Sequence, residues 1–409
     1  MVTYGGMDTI KNKIRYIIST VMLLGLILTG CSNNSTVSEV TISEKSTTEQ
    51  VIISEFQEIN DNPYRQNEMD FSTKGLNWND SYLIGISGTS YYFAGYNDID
   101  RFYGVADAKT KEITQFYALD YDYDIFLRKL HNGRLIIGRG KWEGSRTCHY
   151  ELVDVTNGEE KILCSIESQG YPMASLVDEY AVINYAELIE GTKHISKVVQ
   201  INLDTKEEKV IWESEYLSDG ANYTGTYVPD IKGWKDGVCF QKVFMDNEYM
   251  YTDNTGTCTL CYYSFETGEI EELTAYPYKV LYICGNKEVM LVYDYVFDTI
   301  EKNQGHFILY EDGRYNTYDI LGTEFSSEIK DSFILSDGSY LLHNDHDFII
   351  YNMNDRTYYK ERYDTGYGAD ITIEPEDLPS FSHVHADGNR FAYSKLEDGK
   401  LTVYEYMPK

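Results

Sequence analysis

The stretch IFLRKLHNGRLIIGRGKWEGSRTCHYELVDVTNGEEKILCSI, residues 125–166, decides the fold. It holds four runs dense in β-branched and aromatic residues: Ile125–Leu130, Leu135–Arg139, His149–Val155 and Lys161–Ile166. Such runs read as strands when turn residues bound them. Asn132-Gly133 and Asn157-Gly158 are those turns. Both pairs tolerate the positive φ that tight hairpins require. The unit is therefore a four-stranded antiparallel meander.

Outward from this unit the same two markers recur about every 50 residues, with one long insertion near 215–230. The first marker is the tight turn: Ser87-Gly88, Asn132-Gly133, Asp178-Glu179, Asp236-Gly237, Asn286-Lys287, Asp337-Gly338 and Asp387-Gly388. The second follows each by about 20–30 residues: Thr110-Lys111-Glu112, Asn157-Gly158-Glu159, Thr205-Lys206-Glu207, Thr267-Gly268-Glu269, Asp312-Gly313-Arg314 and Asn354-Asp355-Arg356. A period of this length means a propeller or solenoid, and from Asp80 to Lys409 seven units of about 47 residues fit. The fold class expected is all-β: one β-propeller of seven four-stranded blades. An open β-sandwich or two small β domains is the competing reading. The seventh unit shows only three strands, Phe381–His385, Arg390–Ser394 and Leu401–Tyr406, before the chain ends. An N-terminal strand, Val51–Phe56 or Phe71–Trp78, is expected to supply the fourth and close the ring, removing an exposed sheet edge.

The N-terminus points to a compartment. Lys11, Lys13 and Arg15 precede an apolar run from Tyr16 to Leu28, too short to span a bilayer and suited to a signal peptide. The run ends in Leu28-Thr29-Gly30-Cys31. This resembles the lipobox of bacterial lipoproteins. The resemblance implies that Cys31 carries a diacylglyceryl group and becomes the first mature residue, held outside the cell membrane. Three segments are expected: 1–30 signal peptide, 31–67 flexible tether, 68–409 propeller. The tether begins Ser-Asn-Asn-Ser-Thr and is polar, as disordered linkers are.

Val105-Ala-Asp107-Ala-Lys-Thr110 resembles the quinoprotein-type blade motif, with Lys111 where that motif has glycine and Gln115 where it has tryptophan. Together with the repeat, this is a loose likeness to quinoprotein-like and TolB-like propellers in architecture, and no quinone cofactor carries over. The formal charge of −31 becomes −33 once residues 1–30 leave, taking three basic side chains and one acidic one (Asp8). Such a surface repels phosphate backbones, so nucleic acid is excluded as a partner. Neutral or cationic partners are favoured: a glycan, a peptide or an exported protein. Six cysteines remain besides Cys31. Cys239 and Cys261 fall on strands read as paired and a bridge there is open, with buried free thiols the preferred reading.

Function is expected at the end of the meanders that carries the long connections, because long loops on a rigid scaffold concentrate binding. Those connections bring Asp120, Tyr121, Asp122, Tyr123 and Asp124 together with Tyr216, Tyr223, Tyr227, Tyr249, Tyr251, Tyr363 and Tyr367. Tyrosine supplies flat apolar area and a hydroxyl at low entropic cost. Against this stands the abundance of tyrosine, 39 of 409 residues, which puts some in any loop. Asp120, Asp122 and Asp124 would share a face if extended, as Ca²⁺ ligands do, but Ile125 stands where a calcium loop needs glycine. His343, His346, His383 and His385 crowd into the last two units and have the chemistry of transition-metal ligands. Ordinary surface or inter-blade histidines are preferred, so no metal or other cofactor is expected beyond the lipid on Cys31. Gly-x-Ser-x-Gly, His-Glu-x-x-His and phosphate-loop motifs are missing. The reading is a non-catalytic binding or scaffold lipoprotein. The alternative is an extracellular carbohydrate-active enzyme with carboxylates at the propeller mouth.

Overall fold

A computed structural model describes residues 50–52, 56–97, 99–144, 146–219, 222–234, 236–249, 257–276, 280–285, 289–294, 304–311, 314–319, 331–343, 347–352, 354–363 and 384–409. In 50–52, 247–249, 257–258 and 273–332 it describes the backbone alone. Every regular element among these residues is a strand. Three come first: β1 (Gln50–Ile52), β2 (Gln57–Glu58) and β3 (Tyr64–Phe71). Meanders follow. One is β4 (Asp80–Ser87), β5 (Ser90–Tyr96), β6 (Asp100–Asp107) and β7 (Thr114–Asp120); the next is β8 (Asp124–His131), β9 (Arg134–Glu143), β10 (Thr147–Asp154) and β11 (Lys161–Gln169). Then come β12 (Met173–Val177), β13 (Tyr180–Glu190), β14 (Lys193–Asn202) and β15 (Glu208–Ser218), an extra strand β16 (Asn222–Tyr227), and β17 (Ile231–Trp234), β18 (Gly237–Tyr249), β19 (Thr257–Ser264) and β20 (Ile270–Tyr276). After these run β21 (Val280–Gly285), β22 (Val289–Asp294), β23 (Gln304–Glu311) and β24 (Arg314–Asp319), then β25 (Asp331–Ile334), β26 (Tyr340–His343), β27 (Asp347–Asn352) and β28 (Thr357–Arg362). The chain ends on β29 (Val384–Asp387), β30 (Arg390–Glu397) and β31 (Lys400–Pro408).

Both turn markers have a physical origin. Asn132 and Gly133 take φ of 49° and 75°, and Asp178 and Gly388 take 48° and 64°. At the second marker one position of each unit enters the left-handed region: Lys111, Gly158, Lys206, Gly268 and Arg356. Side chains at the end of the preceding strand hold these turns. Asp107 accepts from the amide of Lys109, Asn202 from those of Asp204 and Thr205, and Asn352 from those of Asn354 and Asp355. This local bonding is what Asx turns use. The quinoprotein-like motif at Val105–Thr110 is thus turn chemistry.

Within each meander consecutive strands pair antiparallel. First strands touch first strands: β4 with β8, β8 with β12, β12 with β17, β17 with β21, β21 with β25, β25 with β29, and β29 with β4. Apolar faces of neighbouring sheets form the core between them, as where Ile136, Tyr150 and Leu152 meet Leu176, Ala181 and Ile183. Meanders laid face to face around their first strands are a β-propeller arrangement.

Three expectations change. The N-terminal strand on β31 is Tyr64–Phe71, antiparallel, with Tyr64 opposite Pro408 and Phe71 opposite Leu401, in place of Val51–Phe56 or Phe71–Trp78. Its pattern, with Tyr64, Met69 and Phe71 buried and five polar residues between, is too sparse to stand out by β-propensity. Residues 57–58 and 64–67, read as tether, lie in strands, because β2 pairs parallel to β28 as β1 does to β24. The insertion near 215–230 is largely strand: β16 pairs with both β15 and β18 and joins two meanders into one sheet. The preferred reading of Cys239 and Cys261 as buried thiols holds: no disulfide joins them, for Cys239 stands opposite Tyr262 and Cys261 opposite Phe240. That one-residue offset puts the two thiols on opposite faces of the sheet.

Candidate functional site

The connection from Asp120 to Asp124 joins β7 to β8 as a turn. The Asp122 amide donates to Asp120 Oδ1 at 2.9 Å and the Tyr123 amide to the Asp120 carbonyl at 3.3 Å. The segment is therefore not the extended one in which the three aspartates would share a face as Ca²⁺ ligands. Arg101 on β6 holds the turn from below, its Nη1 donating to the carbonyls of Tyr121 at 3.1 Å and Tyr123 at 2.5 Å. Its guanidinium lies 4.1 Å from the centre of the Tyr121 ring. Asp124 accepts the Trp142 indole N–H at 2.6 Å. Tyr121 thus already carries a cation, and Asp124 already has a donor.

Tyr123 borders a hollow of about 440 Å³ lined also by Lys141, His149, Tyr150, Glu151, Ser165, Ile166 and Glu167. Strand register builds it. Lys141, His149 and Glu167 form one cross-strand row on β9, β10 and β11; Arg139, Glu151 and Ser165 form the next row on the same face. His149 sits between two carboxylates, Glu143 at 3.1 Å and Glu167 at 3.3 Å. Lys141 Nζ lies 4.1 Å from the centre of the Tyr123 ring, and the Arg139 guanidinium 4.5 Å. Such contacts are worth about 0.5–2 kcal/mol each.

Arg139 lies beneath, almost fully buried. Its Nη2 reaches Glu151 at 2.9 Å and Glu160 at 2.7 Å, and its Nη1 reaches the Tyr117 hydroxyl at 3.1 Å. Burial works against its charge, but the hydrogen bonds to Glu160 and Glu151 outweigh burial and hold the guanidinium above its usual range. The hydrogen bond from Arg139 in turn holds the Glu160 carboxyl below the usual range. The floor of the hollow is an ion-paired network in which Arg139 faces two carboxylates, leaving one negative charge in excess; the walls offer donors and acceptors beside the Tyr123 and Tyr150 rings.

Other expected site residues lie elsewhere. Tyr223 and Tyr227 pack with Tyr216, at 6.0 and 6.0 Å between ring centres, over Val243 and Met245. His194 stacks on Tyr216 at 5.2 Å, and burial lowers its pKa, favouring the neutral ring. These rings pack mainly on one another. Tyr249 ends β18 opposite Asn222. Tyr363 is buried beside His343. His343 and His385 flank Phe333, each with ring centres 6.4 Å from it. His343 Nδ1 faces the Tyr363 hydroxyl at 3.4 Å, and His385 Nε2 meets the Leu83 carbonyl at 3.1 Å. No group of three metal-ligating side chains occurs among the described residues. Cys31, Tyr251, Tyr367, His346 and His383 lie outside the described residues.

Of the residues lining the hollow, sequence reading marked Tyr123 alone. Lys141, His149, Glu151, Ser165 and Glu167 needed the hairpin register. Counting back from the 143–147 turn sets 141 opposite 149, but the bulge at Leu152/Val153 hides the match from β10 to β11.

No family model and no curated protein matches the chain. Solved structures are similar in backbone course. One is an oligogalacturonate lyase from Vibrio parahaemolyticus, at 12% identity and TM-score 0.42, over 87% of this chain and 98% of that one. Another is the β-propeller domain of the Trilobed protease from Pyrococcus furiosus, at 11% and 0.46, over 81% and 95%. TolB from Acinetobacter baumannii matches at 13% and 0.36, over 80% and 66%.

Proposed function

We propose that the chain is an extracytoplasmic binding lipoprotein. Its seven meanders form one ring with Tyr64–Phe71 as the fourth strand of the last blade. Cys31 carries the lipid, residues from 32 to the first paired strands form the tether, and the end with the long connections holds a neutral or cationic partner without turning it over. A glycan, a peptide and an exported protein all have suitable chemistry. The unbroken series of first-strand contacts from β4 round to β29 and back supports the ring, and the pairing of β3 with β31 supports the closure.

The observation that carries the binding reading is the hollow beside Tyr123. It lies at the long-connection end and its volume, about 440 Å³, is within the range of small-ligand sites. Its floor is ion-paired at Arg139 and Glu151, and in its wall His149 lies 3.3 Å from Glu167. Carboxylates and an imidazole held in place by neighbours suit hydrogen bonding to the hydroxyls and amides of a neutral or cationic partner.

The test has two arms. Purified mature chain is screened against wall-glycan fragments and peptides for binding and for turnover, with Tyr123→Ala and His149→Ala beside wild type. Binding weakened by both substitutions without any turnover is expected. Turnover that Glu167→Gln abolishes in a folded protein overturns the non-catalytic reading. For anchoring, Cys31→Ser is expected to leave the membrane fraction, because acylation needs the thiol; full membrane retention at the mature size overturns the lipid anchor.

A further inference from the structure

Among the described strands β16 is the one that bridges two meanders, and what it builds has no counterpart in the other described meanders. It bridges the outer strand of one meander, β15, and the long second strand of the next, β18. Insertions in a repeat fold commonly mark the binding face. One face of this bridge is filled: Tyr216, Tyr223, Tyr227 and Met245 pack there. Gly225 permits it, because its φ is +122° and an added Cβ would come within 2.9 Å of the Tyr216 backbone.

The opposite face carries two large apolar side chains, Leu217 and Phe244, exposed at 49% and 46%. Register puts them on one face, two strands apart with β16 between. Leu217 stands opposite Thr224 and Phe244 opposite Thr226, alternate residues of β16, so both project from the same face. Carboxylates surround them: Glu190, Glu213, Glu215 and Asp246 are exposed on the strands that form or border this sheet. The lysines on this face are each paired with a glutamate: Lys193, opposite Leu217, with Glu215 at 2.8 Å, Lys197 with Glu187 at 2.6 Å, and Lys242 with Glu272. An apolar centre in a rigid sheet with an acidic rim is complementary to a surface that is apolar at its centre and basic at its edge.

We propose that the Leu217–Phe244 face of the β15–β16–β18 sheet docks a protein partner whose contact surface is apolar with a basic rim. This rests on the binding reading above and gives it a second, macromolecular contact apart from the hollow at Tyr123. Equal exposure alone does not define such a site. Ile162 and Val210 are as exposed, at 40% and 50%, but stand at the opposite end of the meanders, where β11 and β15 begin. They serve as the internal control.

The probe is a labelled synthetic peptide of alternating leucine and lysine, titrated against full-length mature protein. An alternating serine–lysine peptide, an alternating leucine–glutamate peptide and phosphatidylglycerol vesicles are the comparison ligands. The leucine–lysine peptide is expected to bind, and Leu217→Ser/Phe244→Ser to weaken it by about tenfold or more, the effect of losing one interface anchor. Ile162→Ser/Val210→Ser is expected to change nothing, and the charge reversal Glu190→Lys/Glu213→Lys to weaken binding in a folded protein. Four outcomes overturn the proposal: equal binding by the Leu217/Phe244 variant, equal binding of the serine–lysine peptide, preference for the vesicles, and self-association of the chain through this face. Loss of glycan or peptide binding at the Tyr123 hollow with this site intact counts against the earlier reading alone.

Discussion

The Tyr117 hydroxyl donates to the Glu160 carboxylate at 2.7 Å, across the junction of two neighbouring four-stranded sheets. The same pairing recurs at other junctions. Tyr91 donates to Glu405 at 2.6 Å and Tyr406 to Glu361 at 2.7 Å, each from one meander to the next. Burial raises the pKa of all three phenols, and the glutamate beside each adds to it, so each stays a neutral donor. Tyrosine fills the apolar space between sheets while its hydroxyl reaches a carboxylate at the wetter edge. That role accounts for three of the 39 tyrosines without any binding chemistry.

Arg139 holds Glu160 within its own sheet and reaches Tyr117 across the junction, so its removal is the sharpest stability test. Arg139→Met leaves Glu151 and Glu160 facing each other without their cation. Breaking a buried pair costs about 3–5 kcal/mol. The glutamates here keep some solvent contact, at 26% and 40%, so the lower end applies. Tyr117→Phe removes one hydrogen bond and is expected to cost about 1 kcal/mol. Urea unfolding of both variants measures the difference; equal, small losses would mean the network is not holding the junction.

The second prediction concerns β3. Tyr64, Met69 and Phe71 bury their side chains against the last and first meanders. Full burial of such side chains contributes about 1.5–3 kcal/mol each. A chain starting at residue 47 is expected to melt with the full mature protein, and a chain starting at residue 73 well below it. Matching melting curves for all three would show that the ring does not depend on this strand.

The strand pattern, the turns and the repeat were legible because each rests on local chemistry: alternation for the strands, positive φ at Asn132, Gly133 and Asp178 for the turns. What failed was non-local. Trp78 was read into a closing strand. Its ring lies instead against Gly95 and Gly104, whose missing side chains make room for it, and its indole N–H donates to Gln115. Gln115 stands where the quinoprotein-type motif has tryptophan, so an aromatic from another segment comes to that position. No local rule announces such a substitution. The candidate site was legible at its rim, through Tyr123, and hidden in its floor, because Arg139, Glu151 and Glu160 meet only once two hairpin registers and a sheet junction are known.

The cysteines give a third prediction. Cys148, Cys164 and Cys261 are buried, and burial pushes their thiols up to about 11, about 12 and about 12. A thiol so placed is a poor nucleophile. Alkylation of Cys148, Cys164, Cys239 and Cys261 is expected only after unfolding, and reductant is expected to leave the melting temperature unchanged. A peptide map with Cys239 bridged to Cys261 would contradict the register that separates them.

The last prediction uses two acids with opposite shifts. Hydrogen bonding to Arg139 lowers the pKa of Glu160 on folding, so Glu160 adds stability above its unfolded value and loses it as pH falls through the folded one. Asp230 is the reverse: burial raises its pKa, against smaller lowering effects of Lys232 and the Ile231 amide. An acid raised on folding weakens the fold wherever the unfolded chain ionises more readily, and that cost disappears as pH drops below the ordinary aspartate value. Asp230→Asn keeps an oxygen to accept the Ile231 amide, now at 2.8 Å, and removes the buried charge. It is expected to raise the melting temperature at neutral pH and to match wild type near about pH 3.5, just below the ordinary aspartate value. Glu160→Gln is expected to lower it at neutral pH, with the deficit shrinking as acid is added. Calorimetry of both variants across that range decides the matter, since a shared sign at neutral pH would contradict the environment assigned to one of the two carboxylates.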